Sequence, residues 1–279
     1  MKAVASGRSR LATERFLARL GRGREEFLRE HFATAWEWYG RLTSLCTAGR
    51  VHAWRERCVT ACGIRPGDRV LDVATGPGPL LLRAAQELGS SGLGVGLDLS
   101  REGLIVARAA GSASAARLGW VQGKVLPLPF RDGSFDVVLV GFALRHLGSP
   151  TEVLRELRRV LVPGGRLGIL DFLRPRPGPG AWAGLAYLFW IVPVLAGLLS
   201  RRWSVYRLAR YLPVTILDAL RPEELRQEMR ASGFGLDTEH SLCAGIVWLF
   251  AGRPLPDPAQ SPARGERASP AVVSTEMGP

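Results

Sequence analysis

Lysine is almost missing from this chain, and so are the residue patterns that hold metal ions. Of the 37 basic residues, only Lys2 and Lys124 are lysine, and the formal net charge is +12. This charge therefore reflects an arginine-rich composition more than a patch built for nucleic acid, and we predict no nucleic-acid partner. The four histidines are His31, His52, His146 and His240. They lack the spacing of metal ligands, so no metal site is expected.

Cysteine is also scarce, with four residues in the chain: Cys46, Cys58, Cys62 and Cys243. The spacing of Cys58 and Cys62 places both on one face of a helix, with no second pair nearby that would complete a metal site. We expect buried thiols and a reducing, cytoplasmic setting. Residues 1–31 contain no long apolar run, so we predict no secretory signal there.

One stretch lacks charge altogether, at residues 181–199, and it is long enough to be considered as a membrane span. Pro193 and Gly197 weaken it as a helix, and a span would separate the last two predicted strands from the sheet that they should join. Arginine-rich segments, 145–176 and 201–230, flank it. We therefore predict a cap over the active site or a helix in the membrane interface, with peripheral contact to an anionic surface. A solvated basic surface is the alternative.

Short aliphatic runs alternate with helical segments in the rest of the chain. Strands are predicted at 69–73, 94–99, 135–140, 166–172, 235–241 and 245–252, and helices at 79–88, after Ser100, from Pro150 to about 162 and at 222–232. Ser100 and Ser149 are the predicted helix N-caps. This alternation predicts an α/β fold, a doubly wound parallel sheet with helices on both faces.

The same patterns divide the chain into three parts. Residues 1–62 are predicted to form an N-terminal helical segment, helical from 11 onwards, that packs on the core. Residues 63–252 form the main domain, in which 173–221 is an inserted cap facing the membrane. Residues 253–279 are rich in Pro, Ala, Ser and Gly, which predicts a disordered tail.

A glycine turn, Gly76-Pro77-Gly78, follows the first predicted strand, and an acid lies at the end of each of the first two strands. The turn has no third glycine, which weighs against a dinucleotide site. Asp98 can accept hydrogen bonds from a ribose diol, and Asp72 can balance the ammonium group of S-adenosylmethionine. Because the pyrophosphate of a nicotinamide cofactor would be repelled by that second carboxylate, the residues favour S-adenosylmethionine. A turn or helix-cap carboxylate is the plainer interpretation of Asp72.

Several motifs resemble class I methyltransferases and, within that class, the ubiquinone and menaquinone biosynthesis C-methyltransferases. The class motifs are Val70–Gly78, Gly96–Ser100 and Leu126–Asp136, and the family motifs are Phe142–His146, Leu154–Arg166, Trp54-Arg55 and Tyr211–Pro213. The resemblance covers 30–252 and implies a seven-stranded, mostly parallel Rossmann-like sheet that uses S-adenosylmethionine. It implies these cofactor-binding residues: Asp72, Gly76, Pro77, Gly78, Asp98, Leu99, Lys124, Val125 and Gly141.

The chain departs from the family pattern at four places. Pro77 replaces the threonine of the family's glycine turn, which removes a hydroxyl and a backbone donor. Lys124-Val125 stands where the family has an acid or amide before alanine to meet the adenine, and lysine cannot accept the adenine amino hydrogens. Arg145-His146 replaces an Arg-Asn pair, and Phe32-Ala33 replaces Phe-Asp. These departures indicate a divergent member, with a different substrate or weakened activity.

The resemblance implies a small lipophilic acceptor, most directly the ring carbon of a demethylated quinol. Ring C-methylation needs a hydroquinone near its phenolate state, so we assign Arg145 to the oxyanion and His146 to the proton. The alternative is structural, with Arg145 paired to a helix acid and His146 half-buried. Aromatic side chains in 182–211 are predicted to line a channel for a prenyl tail, although core packing explains the same composition.

Two other functions fit the same residues. The first is N- or O-methylation of a phospholipid or secondary metabolite, since similar folds serve many acceptors. The second is a non-catalytic, membrane-associated module that has lost cofactor binding. The sequence does not indicate the oligomeric state.

Overall fold

The computed structural model describes residues 11–19 and 38–256, and a seven-stranded sheet forms its centre. The sheet order is β3-β2-β1-β4-β5-β7-β6. The first five strands pair in parallel, and β7 runs antiparallel to both β5 and β6. The strands are β1 Arg69–Val73, β2 Leu93–Asp98, β3 Arg117–Gln122, β4 Phe135–Gly141, β5 Leu161–Phe172, β6 Phe234–Leu242 and β7 Val247–Pro254.

Helices connect most of the parallel strands and cover both faces of the sheet, while a loop joins β3 to β4. They are α1 Leu11–Arg19, α2 (described over 38–46), α3 Val51–Cys62, α4 Pro79–Leu88, α5 Arg101–Ala110, α6 Pro150–Val160, α7 Pro179–Ala186, α8 Val192–Ser200, α9 Trp203–Leu217 and α10 Pro222–Ala231. A π-helical turn, Tyr187–Ile191, joins α7 to α8, so the chain is helical from Pro179 to Ser200. Single 3-10 turns occupy Leu144–His146 and Cys243–Gly245.

Two apolar cores lie on opposite faces of the sheet. Consecutive residues of one strand supply both, because Val70 of β1 packs into the first core and Leu71 into the second. Helices α3 and α4 contribute to the first core, and α6 and α10 contribute to the second. Strands buried on both faces have apolar residues at successive positions, which explains the unbroken aliphatic runs in the sequence.

The predicted doubly wound sheet is confirmed, with one strand that the patterns did not reveal. Strand β3 lies at the sheet edge, and most of its residues are only half-buried, so it lacks a strong apolar signal. Strand β5 begins at Leu161, five residues before the predicted start at 166, and α6 correspondingly ends at Val160 instead of 162.

The two predicted N-caps differ in outcome. The Ser100 hydroxyl accepts a hydrogen bond from the Gly103 N–H at 3.1 Å, as predicted. Ser149 is the N-cap residue of α6, as predicted, but its side chain makes no capping hydrogen bond. Cys58 and Cys62 are buried together on α3, as predicted.

Both ends of the chain are only partly described. The helical prediction for 20–37 lies outside the described residues, as does most of the predicted tail, 257–279. Residues 253 and 254 belong to β7, so the tail boundary was placed too early. At the other end, the Asp218 carboxylate accepts hydrogen bonds from the Ala12 and Thr13 N–H groups at 3.2 and 2.6 Å and thereby attaches α1 to the region beyond α9.

Candidate active site

The glycine turn after β1 forms the centre of the candidate site. Ala74, Gly76 and Gly78 have φ angles of 56°, 54° and 77°. Two of these three positive angles fall on glycine, which adopts them without strain. Gly78 ends the turn as the N-cap of α4, and Pro79 occupies the first helical turn, where its missing N–H has no cost. The turn therefore crosses the carboxyl ends of the strands, the position at which α/β sheets bind ligands.

Asp98 lies at the end of β2, beside this turn. One carboxylate oxygen accepts a hydrogen bond from the Gly76 N–H, and the other accepts one from the Ser100 N–H, both at 2.7 Å. Burial raises the pKa of Asp98, and these backbone bonds oppose that rise. The geometry thus places a half-buried carboxylate against the glycine turn.

The loop after β3 reaches the same carboxylate residue. The Gly123 N–H donates to the Asp98 carbonyl oxygen at 3.0 Å, which places Lys124 and Val125 next to β2. Lys124 is exposed and Val125 is half-buried. Leu99 is 64% exposed beside them, an apolar surface at the mouth of the site. These four predicted residues therefore share one edge of the sheet.

Asp72 is buried on the other side of the turn. One of its carboxylate oxygens accepts hydrogen bonds from the Thr75 hydroxyl at 2.6 Å and the Leu81 N–H at 3.2 Å. Burial raises the pKa of Asp72 to about 7, although both hydrogen bonds and the charge of Arg55 lower it. Asp72 also shapes the turn, since it bonds to residues on both sides of Gly78; the turn-carboxylate interpretation therefore describes part of its role.

A small cavity joins Asp72 to residues far away in the sequence. Its walls include Gly141, one of the predicted cofactor-binding residues, and also Tyr39 and Arg55, which were not predicted as site residues. Arg55 of α3 is only 5% exposed, and its Nη2 has no hydrogen-bond partner among the described residues. Burial lowers the pKa of Arg55, while Tyr39 and Asp72 oppose this change. A buried guanidinium with an unused donor can bond to an acceptor from a ligand, an ion or water.

Arg145 is held in a buried ion pair at the end of β4. Its Nη1 bonds to the Asp171 carboxylate and donates to the Phe142 carbonyl oxygen at 2.8 Å. Its Nε donates to the Thr215 hydroxyl at 3.1 Å. The partner acid lies on β5, so the structural alternative is corrected in one respect: the acid that Arg145 meets belongs to a strand and not to a helix.

Asp171 is a site residue that the sequence motifs did not reveal. It is 1% exposed, and one of its carboxylate oxygens has no hydrogen-bond partner among the described residues. Burial raises the pKa of Asp171, and the charge of Arg145 lowers it. The only sequence signal was an acid inside an aliphatic strand. Such an acid needs a buried partner.

His146 is half-buried next to Arg145, as its structural alternative expected, and it packs against α9. Its ring is stacked on Tyr211, with centroids 6.1 Å apart and an interplanar angle of 19°. Arg145 and His146 do not line the small cavity. The predicted site residues therefore form three neighbouring groups: the Asp98 edge, the Asp72 cavity, and the Arg145 pair beneath α9.

A second cavity, of about 600 Å³, lies between α2 and the α8–α9 region. Its walls are mainly apolar and include Trp38, Leu45, Tyr187, Leu199 and Val205. The Tyr187 hydroxyl donates to the Leu45 carbonyl oxygen at 2.6 Å and joins the two sides. The prediction that aromatic residues of 182–211 line a channel matches Tyr187. It does not match three tryptophans that lie exposed at the surface: Trp182, Trp190 and Trp203.

Comparison with known proteins identifies relatives over most of the chain. A demethylmenaquinone methyltransferase of Thermus thermophilus is 36% identical over 217 residues, covering 77% of this chain and 95% of the relative. A 2-phytyl-1,4-naphtoquinone methyltransferase of a Synechocystis species is 31% identical over 230 residues, covering 81% and 94%. Both matches extend beyond the sheet and therefore include more than the common fold.

Solved structures confirm the fold. A SAM-dependent methyltransferase from Aquifex aeolicus superposes with a TM-score of 0.54 at 17% identity, covering 76% of this chain and 96% of that one. The sequence profile of the ubiE/COQ5 methyltransferase family matches residues 22–253. The chain therefore belongs to the ubiE/COQ5 methyltransferase family, and it is a methyltransferase with the seven-stranded fold of the S-adenosylmethionine-dependent enzymes.

Proposed function

We propose that this enzyme transfers a methyl group from S-adenosylmethionine to a ring carbon of a demethylated quinol that carries a lipophilic tail. The structural observation that carries the proposal is the pair of acids, buried Asp72 and half-buried Asp98, on either side of one glycine turn at the carboxyl edge of the sheet. Two relatives are named as methyltransferases of demethylmenaquinone and of 2-phytyl-1,4-naphtoquinone, and these names support a lipophilic quinol as the acceptor.

The residues fit the methyl donor. The Asp98 carboxylate suits the ribose hydroxyls, and the buried Asp72 carboxylate suits the amino-acid ammonium group. The unused Nη2 of Arg55 lines the same cavity as Asp72, so it suits the carboxylate of that amino acid. Leu99 and Val125 offer apolar surface for the adenine, and Lys124 can donate to a ring nitrogen. When bound, S-adenosylmethionine supplies an electrophilic methyl group on a sulfonium.

Arg145 and His146 act on the acceptor in this proposal. A quinol hydroxyl must lose its proton before electron density reaches the ring carbon, and imidazole is a suitable base near neutral pH. His146 takes that proton, and the guanidinium of Arg145 stabilises the oxyanion that remains. The ring carbon that receives the methyl group then gives up its own hydrogen as a proton, which passes to solvent and restores the aromatic ring. Asp171 keeps Arg145 oriented through the buried ion pair. The low dielectric around this buried pair strengthens the attraction between the guanidinium and an oxyanion, although Asp171 offsets part of its charge.

The apolar cavity supplies the place for the tail. It lies against α8 and α9, and its walls carry few polar groups. A chain of isoprenoid or phytyl units gains free energy by leaving water for such walls, at about 25 cal/mol for each Å² of apolar surface buried. The same cavity offers little to a small, polar acceptor. A lipophilic quinol therefore fits better than a soluble metabolite.

Two measurements test this function. Calorimetric titration with S-adenosylmethionine, and with NADH as a control, should give saturable binding for the first ligand alone. Transfer of a labelled methyl group should then occur to a demethylated quinol. Label in a phospholipid or a secondary metabolite instead would favour N- or O-methylation, and no binding of S-adenosylmethionine at near-millimolar concentration would favour the non-catalytic module.

A further inference from the structure

We propose that the outer surface of the α7–α9 region docks the enzyme onto an anionic lipid bilayer. This outer apolar face is defined by Trp182, Trp190, Val194, Leu198 and Trp203. Trp190 and Leu198 are each 70% exposed, and the other three are more than half exposed. Large apolar side chains gathered on one surface are typical of an interaction site.

The helix Pro179–Ser200 is apolar on two opposite sides. Its inward residues recur every four positions and pack against the protein: Leu188, Val192, Ala196 and Ser200. Its outward residues recur with the same period and face solvent: Trp190, Ile191, Val194, Leu195, Leu198 and Leu199. A helix of a soluble protein normally has a polar outer side. Both sides of this helix therefore suit an apolar environment, and the protein itself covers only the inward side.

The charge around this face suits anionic headgroups. Residues 172–217 contain six arginines and no aspartate or glutamate. Arg201, Arg202 and Arg210 are exposed next to the face, and the Arg207 guanidinium lies 5.6 Å from the Trp203 ring centroid. Tryptophan at the level of the headgroups and arginine beside it are the residues expected where a protein meets an anionic bilayer. A protein partner would need an acidic surface with a matching apolar centre, whereas the bilayer provides both properties.

The helix Pro179–Ser200 is long and apolar enough to cross a bilayer, but its contacts favour a position along the surface. The Tyr187 hydroxyl is bonded to Leu45 of α2, and the inward residues pack into the first core. Immediately before this helix, the Leu173 N–H donates to the Ile246 carbonyl oxygen at 2.9 Å. A span would remove all of these contacts, whereas docking in the interface keeps them.

Leu199 connects this face to the large cavity. It is exposed on the surface and also lines the cavity between α2 and the α8–α9 region. Leu199 follows Leu198 of the outer apolar face, so one wall of the cavity lies beside that face. A lipid-embedded acceptor can enter from the bilayer without crossing water, a step that rests on the proposed function. Docking itself does not depend on that function.

Vesicle binding tests the docking in the absence of both substrates. The full chain is mixed with vesicles of phosphatidylcholine and phosphatidylglycerol, or of phosphatidylcholine alone, and the bound fraction is measured by flotation. We expect the Trp190→Ser/Leu198→Ser double variant to lose at least about tenfold in partition to the anionic vesicles. The matched control is Ile105→Ser, which removes an apolar side chain that is 58% exposed on α5 and should bind as the wild type does.

Three results of the vesicle experiment would overturn the docking proposal. They are equal binding by the wild type and the double variant, equal binding to vesicles with and without phosphatidylglycerol, and resistance of bound protein to alkaline carbonate. A dimer that the double variant dissociates would also overturn it, because a second copy would then cover the face. Circular dichroism confirms that each variant is folded. Methyl transfer to a detergent-dissolved quinol should be unchanged in the double variant. If the double variant loses vesicle binding but transfers methyl groups normally, the result tests docking alone. If the wild type transfers no methyl group, the result contradicts the proposed function and leaves docking unaffected.

Discussion

The substitution Asp72→Asn should stabilise the protein in a way that depends on pH. Burial raises the pKa of Asp72 from 3.8 to about 7, so the folded protein binds a proton more tightly than the unfolded chain does. The free energy of unfolding contributed by this group is fully present below pH 3.8 and is lost as the pH rises through 7. An asparagine oxygen can still accept from the Thr75 hydroxyl and the Leu81 N–H, but it carries no charge.

The size of the effect follows from the two pKa values. A difference of about three pKa units, at about 1.4 kcal/mol for each unit, corresponds to about 4 kcal/mol. The free energy of unfolding of Asp72→Asn should therefore exceed that of the wild type by an amount that grows by up to about 4 kcal/mol between pH 4 and pH 8. The raised pKa of Asp171 affects both proteins, so it cancels in the difference, whereas the charge of Asp98 helps to raise the pKa of Asp72 and is part of the effect.

Urea unfolding at several pH values between 4 and 8 measures this difference. The control is Asp132→Asn, which changes a carboxylate that is mostly exposed and should give a difference that is small and nearly constant. A difference for Asp72→Asn that does not change with pH would refute the reasoning. So would a variant less stable than the wild type at pH 8. Calorimetry should also show weaker S-adenosylmethionine binding, because asparagine has no charge to pair with the ammonium group. The Asp72 charge would then lower the stability of the protein and raise its affinity for the methyl donor.

Three other predictions concern individual site residues. Asp98→Ala should weaken S-adenosylmethionine binding by about 1–3 kcal/mol in calorimetry, and unchanged affinity would remove Asp98 from the site. Arg55→Gln should weaken binding of S-adenosylmethionine more than binding of its decarboxylated analogue, and equal losses would contradict contact with the carboxylate. Arg145→Ala should destabilise the protein by about 3 kcal/mol in urea unfolding, because it leaves Asp171 charged and unpaired. Arg145→Met/Asp171→Leu should recover that stability but not turnover; recovered turnover would exclude Arg145 from the reaction.

Much of the fold was predictable because its parallel strands are buried on both faces. Strands β1, β2 and β4 appear in the sequence as aliphatic runs, and their ends were placed within a residue of the structure. Strand β3 was missed because one side of it has no neighbouring strand, so its residues need not be uniformly apolar. Local sequence patterns therefore reveal strands that are buried, and they reveal a strand less clearly where it is only partly buried.

Some residues of the candidate site were predictable from local sequence, and others were not. Asp72, Asp98 and the glycine turn were predictable because the order of the chain places them at one edge of the sheet. Arg55 and Asp171 were not, since their roles depend on partners distant in the sequence: Arg55 lines the cavity of Asp72, and Asp171 meets Arg145 from the next strand. The available sequence signal for each was a single charged residue in an apolar segment. Only the folded structure shows which groups that residue contacts.

Helix α2 separates the two cavities, and this position links the two substrates. Neighbouring residues of α2 serve different walls, because Tyr39 lines the small cavity and Trp38 lines the large one. A movement of the helix toward one cavity changes the shape of the other. The affinity for the methyl donor should therefore differ between the free enzyme and the enzyme loaded with a quinol, and the reciprocal difference must have the same size. The binding of the two substrates would then be coupled through a single helix.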